Sequence, residues 1–181
     1  MTTQKKLVLF IVMLSYLVTA IDCSVIFTGE TNIAKDLHLS QSALSWVQNV
    51  YVLAYGGFML LGGRLSDAFG RKKILNISLI LFCVGSFLAG IADSTLVMVV
   101  ARFIQGIGAA ILAPTSLALL MDYFKDKERV TAIAWYSSVS GLGMCIGLIL
   151  GGTCAGFFSW RYGFFINIPL TLLMLAISLK I

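Results

Sequence analysis

Charge is scarce in this chain of 181 residues: only 12% are Asp, Glu, Lys or Arg. Soluble domains run at about a quarter charged, so there is too little polar surface here for a water-soluble fold. Proline is nearly absent, with two residues, and histidine occurs once, as His38. A single loop histidine is a solvated residue and supplies neither a metal cluster nor a paired general base. The four cysteines, Cys23, Cys83, Cys145 and Cys154, lie far apart in apolar segments, so they read as packing residues, with no disulfide framework and no metal-ligand spacing. No nucleophile–base set suggests an enzyme. The net charge of +5 sits in loops beside apolar runs, a pattern of membrane orientation that argues against a nucleic-acid partner.

What the chain has in quantity is apolar residues, 59% of the total, and 17 glycines, for a mean hydropathy of +0.97. A spanning helix needs about 20 residues, so six of them with short loops use nearly the whole length. Long apolar runs predict spans at Leu7–Thr28, Leu44–Gly63, Ile74–Ala92, Leu96–Met121, Val130–Phe158 and Gly163–Leu179. None shows the strict alternation of a barrel strand. The expected fold is an all-α membrane protein, a single six-helix transmembrane domain over residues 1–181. Lys5 and Lys6 precede the first run as in a secretory signal, but the run is long and no small-x-small cleavage site follows. It reads as an uncleaved helix.

Lys and Arg orient the set. Lys5, Lys6, Arg64, Arg71, Lys72, Lys73, Lys125, Lys127, Arg129 and Lys180 fall on one side, against Lys35 and Arg161 on the other. The positive-inside rule then puts both termini in the cytoplasm of a multi-pass protein in the cell membrane. Trp46, Trp135, Trp160 and Tyr162 lie near predicted helix ends, as an interfacial aromatic belt would. Glu30 and Asp36 fall in the outer loop and read as solvated.

Two charges fall inside predicted spans, Asp22 in the first and Arg102 in the fourth. An ionised group at bilayer depth costs several kcal/mol and marks a functional site by default. With the first helix ending near Thr28, Asp22 lies roughly 9 Å from its outer end, and Arg102 at a similar depth. Opposite charges at one level offset each other's desolvation. Gln105, one turn after Arg102, shares its face. The reading is a proton or cation site, with Asp22 exchanging the proton and Arg102 lowering its proton affinity. A static pair that fixes helix packing is the alternative.

The loop Gly63-Arg64-Leu65-Ser66-Asp67-Ala68-Phe69-Gly70-Arg71-Lys72-Lys73 joins two antiparallel helices through a turn that needs Gly70, and sets a carboxylate among cations. It resembles the G-x-L-x-D-x-x-G-R-K signature of the major facilitator superfamily at Gly63, Leu65, Asp67, Gly70, Arg71 and Lys72, with Ala68 where a basic residue is frequent. Arg102, Gln105 and Gly106 match that family's R-x-x-Q-G motif in helix four. Asp22 and the stretch Ser159–Pro169 resemble the fourteen-span drug:proton antiporters, although Ser24, Phe27 and Thr31 depart from that branch's helix-one pattern. Gly143, Gly147, Gly151 and Gly152, with Gly141 and Gly156, resemble its helix-five hinge motif, with Leu148 in place of the proline. Small residues at this spacing also form an ordinary helix-packing groove.

The resemblance implies two three-helix inverted repeats making the N-terminal half of a proton-coupled exporter of lipophilic or cationic drugs. It implies that Arg102 with Gln105 tunes Asp22, and that Gly63, Asp67, Gly70, Arg71 and Lys72 form a cytoplasmic latch with Asp122. It needs no bound cofactor, only a proton gradient. Tyr51, Tyr55 and Met59 are candidates for stacking on lipophilic cations. A second six-helix half, or a homodimer, would complete the path between halves at mid-membrane. The alternative is a half-size membrane protein without transport of its own, acting as an assembly or interaction partner.

Overall fold

The computed structural model describes residues 2–180, apart from the side chain of Ser140. It is all helix: α1 (Thr3–Asp36), α2 (Gln41–Phe69), α3 (Arg71–Gly90), α4 (Thr95–Tyr123), α5 (Asp126–Phe157), α6 (Trp160–Phe165) and α7 (Asn167–Ser178). The last two form one span, Trp160–Ser178, and among the described residues six spans are long and apolar enough to cross a membrane. No strand occurs among those residues.

The boundaries follow local chemistry. The Thr2 side chain accepts from the Lys5 amide and the Ser40 side chain from Ala43, capping α1 and α2, which satisfies amides left over in the first turn. Gly70 alone separates α2 from α3, with φ +93°; only glycine takes that conformation without strain. The sixth span starts three residues earlier than expected and is interrupted at Ile166. Pro169 explains the interruption, since it has no N–H for the Phe165 carbonyl and its ring crowds that oxygen.

α1 departs most from expectation. It runs on through Asp36 rather than ending near Thr28, because no glycine–proline punctuation follows Gly29 and Ile33 still finds a buried place. Asp36 is therefore helical, and it accepts a hydrogen bond from Trp160 Nε1 at 2.8 Å. Trp160 is itself 1% exposed and belongs to the core, whereas Trp46, Trp135 and Tyr162 are exposed as an interfacial belt would have them.

Packing is pairwise reciprocal. α1 lies on α5 as α2 lies on α4, and α4 lies on α3 as α1 lies on α7. This exchange is what two three-helix repeats produce. Among the described residues the backbones of α2 and α5 do not approach each other, so the two helices stand as walls on either side of α1. Their outward faces carry large uncovered side chains such as Leu53, Leu60, Leu142 and Ile149.

A buried charge cluster beside an aromatic cavity

Asp22, from the middle of α1, is fully buried. Arg102 on α4 donates from Nη1 to its Oδ2 at 2.6 Å, and Gln105, one turn on, donates from Nε2 to its Oδ1 at 2.9 Å. Arg102 Nη1 also donates to Gln105 Oε1 at 2.9 Å, so the two α4 residues brace each other as well as the acid. The three side chains expected to act together do meet. Equal distance from the helix ends is not the reason, however. Asp22 stands 14 residues before the end of α1 and Arg102 seven after the start of α4, about 21 Å and about 10 Å. They meet because α1 projects beyond the start of α4.

Two further residues complete the cluster, and the sequence pattern singles out neither as a site residue. Asn167, the first residue of α7, donates from Nδ2 to Asp22 Oδ1 at 2.9 Å. Ser86 on α3 accepts from Gln105 Nε2 at 2.7 Å and from Asn167 Nδ2 at 3.4 Å. Both are fully buried. Asn167 does carry a signal, an amide inside an apolar run two residues before a proline. Ser86 carries none that separates it from any small helix residue. α3 approaches this closely because position 85 is glycine: a Cβ there would lie 2.8 Å from the Gln105 amide nitrogen.

Tyr51 on α2 closes the cluster on a fourth side. The Arg102 guanidinium carbon sits 4.2 Å from its ring centroid, a cation–π contact. Tyr51 also lines a cavity of about 340 Å³ with Tyr16, Thr19, Ala20 and Cys23 of α1, Val52 and Tyr55 of α2, and Met144 of α5. The cavity lies in the gap that α2 and α5 leave over α1. Tyr55 stacks on Tyr51 with the ring planes 13° apart. Of the three side chains expected there, Tyr51 and Tyr55 line the cavity. Met59, one turn further along α2, does not line it and is 41% exposed.

At the end of the bundle that carries the termini, Arg71 pairs with Asp122 at 2.5 Å and with Asp67 at 3.5 Å, and also donates to the Ala118 carbonyl. Three residues of the expected latch thus converge, on the turn that Gly70 makes. Lys72 is not among them: it is exposed and has no ion-pair partner among the described residues. Gly63 is not sterically required either, since a Cβ there would come no nearer than 3.9 Å to Pro114 Cβ. The close approach is at Gly62, where a Cβ would lie 2.7 Å from Ile111 Cα.

The α5 glycines divide similarly. Added Cβ atoms at Gly143 and Gly147 would lie 2.9 Å from Ala20 Cβ and 2.8 Å from Ile21 Cα, and one at Gly151 would lie 3.0 Å from Val25 Cα. These three form a groove that seats α1. Gly152 does not belong to it, because one residue around the helix it faces open space. α5 is unbroken from Asp126 to Phe157, so Leu148 continues the helix where the motif would have proline.

At the opposite end, Arg161 donates from Nη1 to the carbonyls of Gly90 and Ala92 at 3.0 and 2.6 Å, and its guanidinium lies 4.4 Å from the Trp160 ring centroid. These bonds use carbonyls left over at the end of α3, and with the Trp160–Asp36 bond they anchor the start of α6. Asn167 is thereby delivered to Asp22 six residues later.

Comparison with known proteins agrees with this architecture. The chain is 37% identical over 168 residues to a puromycin resistance protein of Streptomyces alboniger, covering 92% of this chain and 33% of the relative. It is 33% identical over 168 residues to a cephamycin export protein of Amycolatopsis lactamdurans, covering 92% and 35%. It thus spans about a third of the length of these curated relatives. A solved proton:xylose symporter superposes with a TM-score of 0.82 at 18% identity, over 99% of this chain and 45% of the symporter, a likeness of fold. Residues 12–180 match the Major Facilitator Superfamily, and the chain, a multi-pass membrane protein, belongs to that superfamily.

Proposed function

We propose that this segment is the proton-handling N-terminal half of a secondary active transporter that exports lipophilic or cationic compounds, with Asp22 as the acid that exchanges protons. The observation that carries this reading is the Asp22–Arg102 pair, 2.6 Å apart and both buried, with Tyr51 shared between that pair and the aromatic cavity. A buried ion pair is weak evidence for stability alone, because desolvation consumes most of the Coulombic gain. Placed against a cavity, it suits a site that must change charge. A flat organic cation in the cavity would meet the Tyr51 and Tyr55 rings and compete with the guanidinium for the former. The names of the relatives, puromycin resistance and cephamycin export, support efflux of bioactive organic molecules.

The energy source in this reading is the proton gradient, with no bound cofactor. Both termini lie on the cytoplasmic side of the plasma membrane, where Arg71, Asp67 and Asp122 act as the latch. The outward faces of α2 and α5, with open space over Gly56, Gly57, Gly141, Gly152 and Gly156, suit a second six-helix half or a second copy.

The test is proton-driven uptake of a fluorescent cationic dye into inverted membrane vesicles that contain the protein. Asp22→Asn should abolish uptake driven by an acid interior while the protein still inserts at the wild-type level. Uptake at the wild-type rate in that variant removes Asp22 from the mechanism.

A further inference from the structure

Asp22 receives three hydrogen bonds, and each comes from an N–H: Arg102 Nη1 on Oδ2, and Gln105 Nε2 and Asn167 Nδ2 on Oδ1. That set suits a carboxylate. It does not suit a carboxylic acid, whose O–H would face a donor from either oxygen. If Asp22 is to take up a proton, a neighbour must present an acceptor. Arg102 has none to offer. Gln105 has Oε1, but that atom already accepts from Arg102, so turning this amide would break a charge-assisted bond. Asn167 Oδ1 is buried and has no partner. Its amide can turn about Cβ–Cγ without losing any acceptor contact.

We propose that Asn167 is the positioning residue that lets Asp22 change charge: its amide presents Nδ2 to the carboxylate and turns to present Oδ1 to the carboxylic acid. This rests on the reading of Asp22 as the proton-exchanging group. The proton arrives from water and bonds to Asp22 Oδ1, while Asn167 keeps its own hydrogens throughout. Ser86, whose hydroxyl both donates and accepts, can then donate to the turned Oδ1. The titratable groups around Asp22 are Arg102 from α4, Tyr51 from α2 and Cys23 beside it on α1. α3 and α7 bring only Ser86 and Asn167, and the charged residues of α5 all lie in its first turn, Asp126 to Arg129.

The experiment is infrared difference spectroscopy of the purified protein, acid minus neutral pH, with asparagine labelled with carbon-13 at the side-chain carbonyl. The chain has four asparagines, Asn32, Asn49, Asn76 and Asn167, so Asn167→Leu identifies the band of interest. Wild-type protein should show a carboxyl band that Asp22→Asn lacks, and a labelled amide band that shifts with the same pH dependence. That amide shift should vanish in both Asp22→Asn and Asn167→Leu. In Asn167→Leu the Asp22 carboxyl band should move to higher wavenumber, and proton-driven uptake should fall about tenfold, as for loss of one hydrogen bond to a charged group. A wild-type spectrum with the Asp22 carboxyl band and a motionless labelled amide overturns the proposal and leaves the reading of Asp22 standing. That overturning result needs no variant to fold beyond Asp22→Asn. A wild-type spectrum without any Asp22 band overturns both.

Discussion

Gly106 lies directly against the backbone of Tyr51: a Cβ at position 106 would sit 2.7 Å from the Tyr51 carbonyl oxygen and 2.8 Å from Ala54 Cβ. This contact sets the distance between α2 and α4, and therefore the seating of the Tyr51 ring on Arg102. Gly106→Ala should push the helices apart and lower stability by about 1–3 kcal/mol, the usual cost of overpacking. Gly57→Ala on α2 is the control, since nothing lies within 4 Å of a Cβ there. Thermal unfolding of the two variants in detergent measures the difference; equal midpoints would show that the α2–α4 approach is soft.

The Asp22–Arg102 pair should behave as a unit. Arg102→Met leaves a buried carboxylate without its cation and should cost about 3–5 kcal/mol, while Asp22→Asn combined with Arg102→Met should recover much of that loss. Gln105 and Asn167 still donate to position 22 in the single variant, which favours the lower end of the range. A double-mutant cycle by chemical unfolding reads the coupling directly. Additive losses would mean that the two charges do not interact in the folded protein.

Arg71 and Asp122 present the opposite case. The aspartate side chain is 52% exposed and the arginine 28%, and exposed pairs contribute about 0–1 kcal/mol. Asp122→Asn should therefore leave the unfolding midpoint nearly unchanged. If the pair is a latch, the variant should instead alter the rate of dye transport and its dependence on salt, since screening weakens exposed pairs. Unchanged transport in Asp122→Asn, with normal insertion, would reduce the pair to a surface contact.

The α5 glycines allow a paired comparison five residues apart. Gly147→Leu drives a side chain into Ile21 and Ser24 of α1 and should prevent stable assembly or lower the melting temperature sharply. Gly152→Leu meets open space within this chain and should leave its folding intact. If Gly152→Leu impairs transport without affecting folding, the outward face of α5 is covered by a partner.

Several elements are legible in the amino-acid sequence alone. The six spans follow from run length and hydropathy. Asp22 and Arg102 stand out because charge in an apolar run is costly, and Gly70 because a tight turn between antiparallel helices needs a glycine. Other features mislead for identifiable reasons. Trp160 sits near a helix end and so looks interfacial, but its partner, Asp36, lies 124 residues away. Asp36 is exposed, as expected, but it closes α1 instead of lying in a loop. Helical spacing from Tyr55 points Met59 toward the cavity, but Met59 is not among the side chains that line it.

Composition and periodicity determined the solvent, the number of spans and the residues that lipid would not accept, because the bilayer penalises each polar group individually and so leaves a mark on local sequence. Which polar groups satisfy one another was decided only when the helices packed. Asn167 reaches Asp22 across 145 residues through a break made by Pro169, an anchor made by Arg161 and Trp160, and a close approach that Gly85 permits. No short stretch of sequence contains that coincidence, since a hydrogen bond depends on three-dimensional distance and orientation, and those are properties of the assembled bundle.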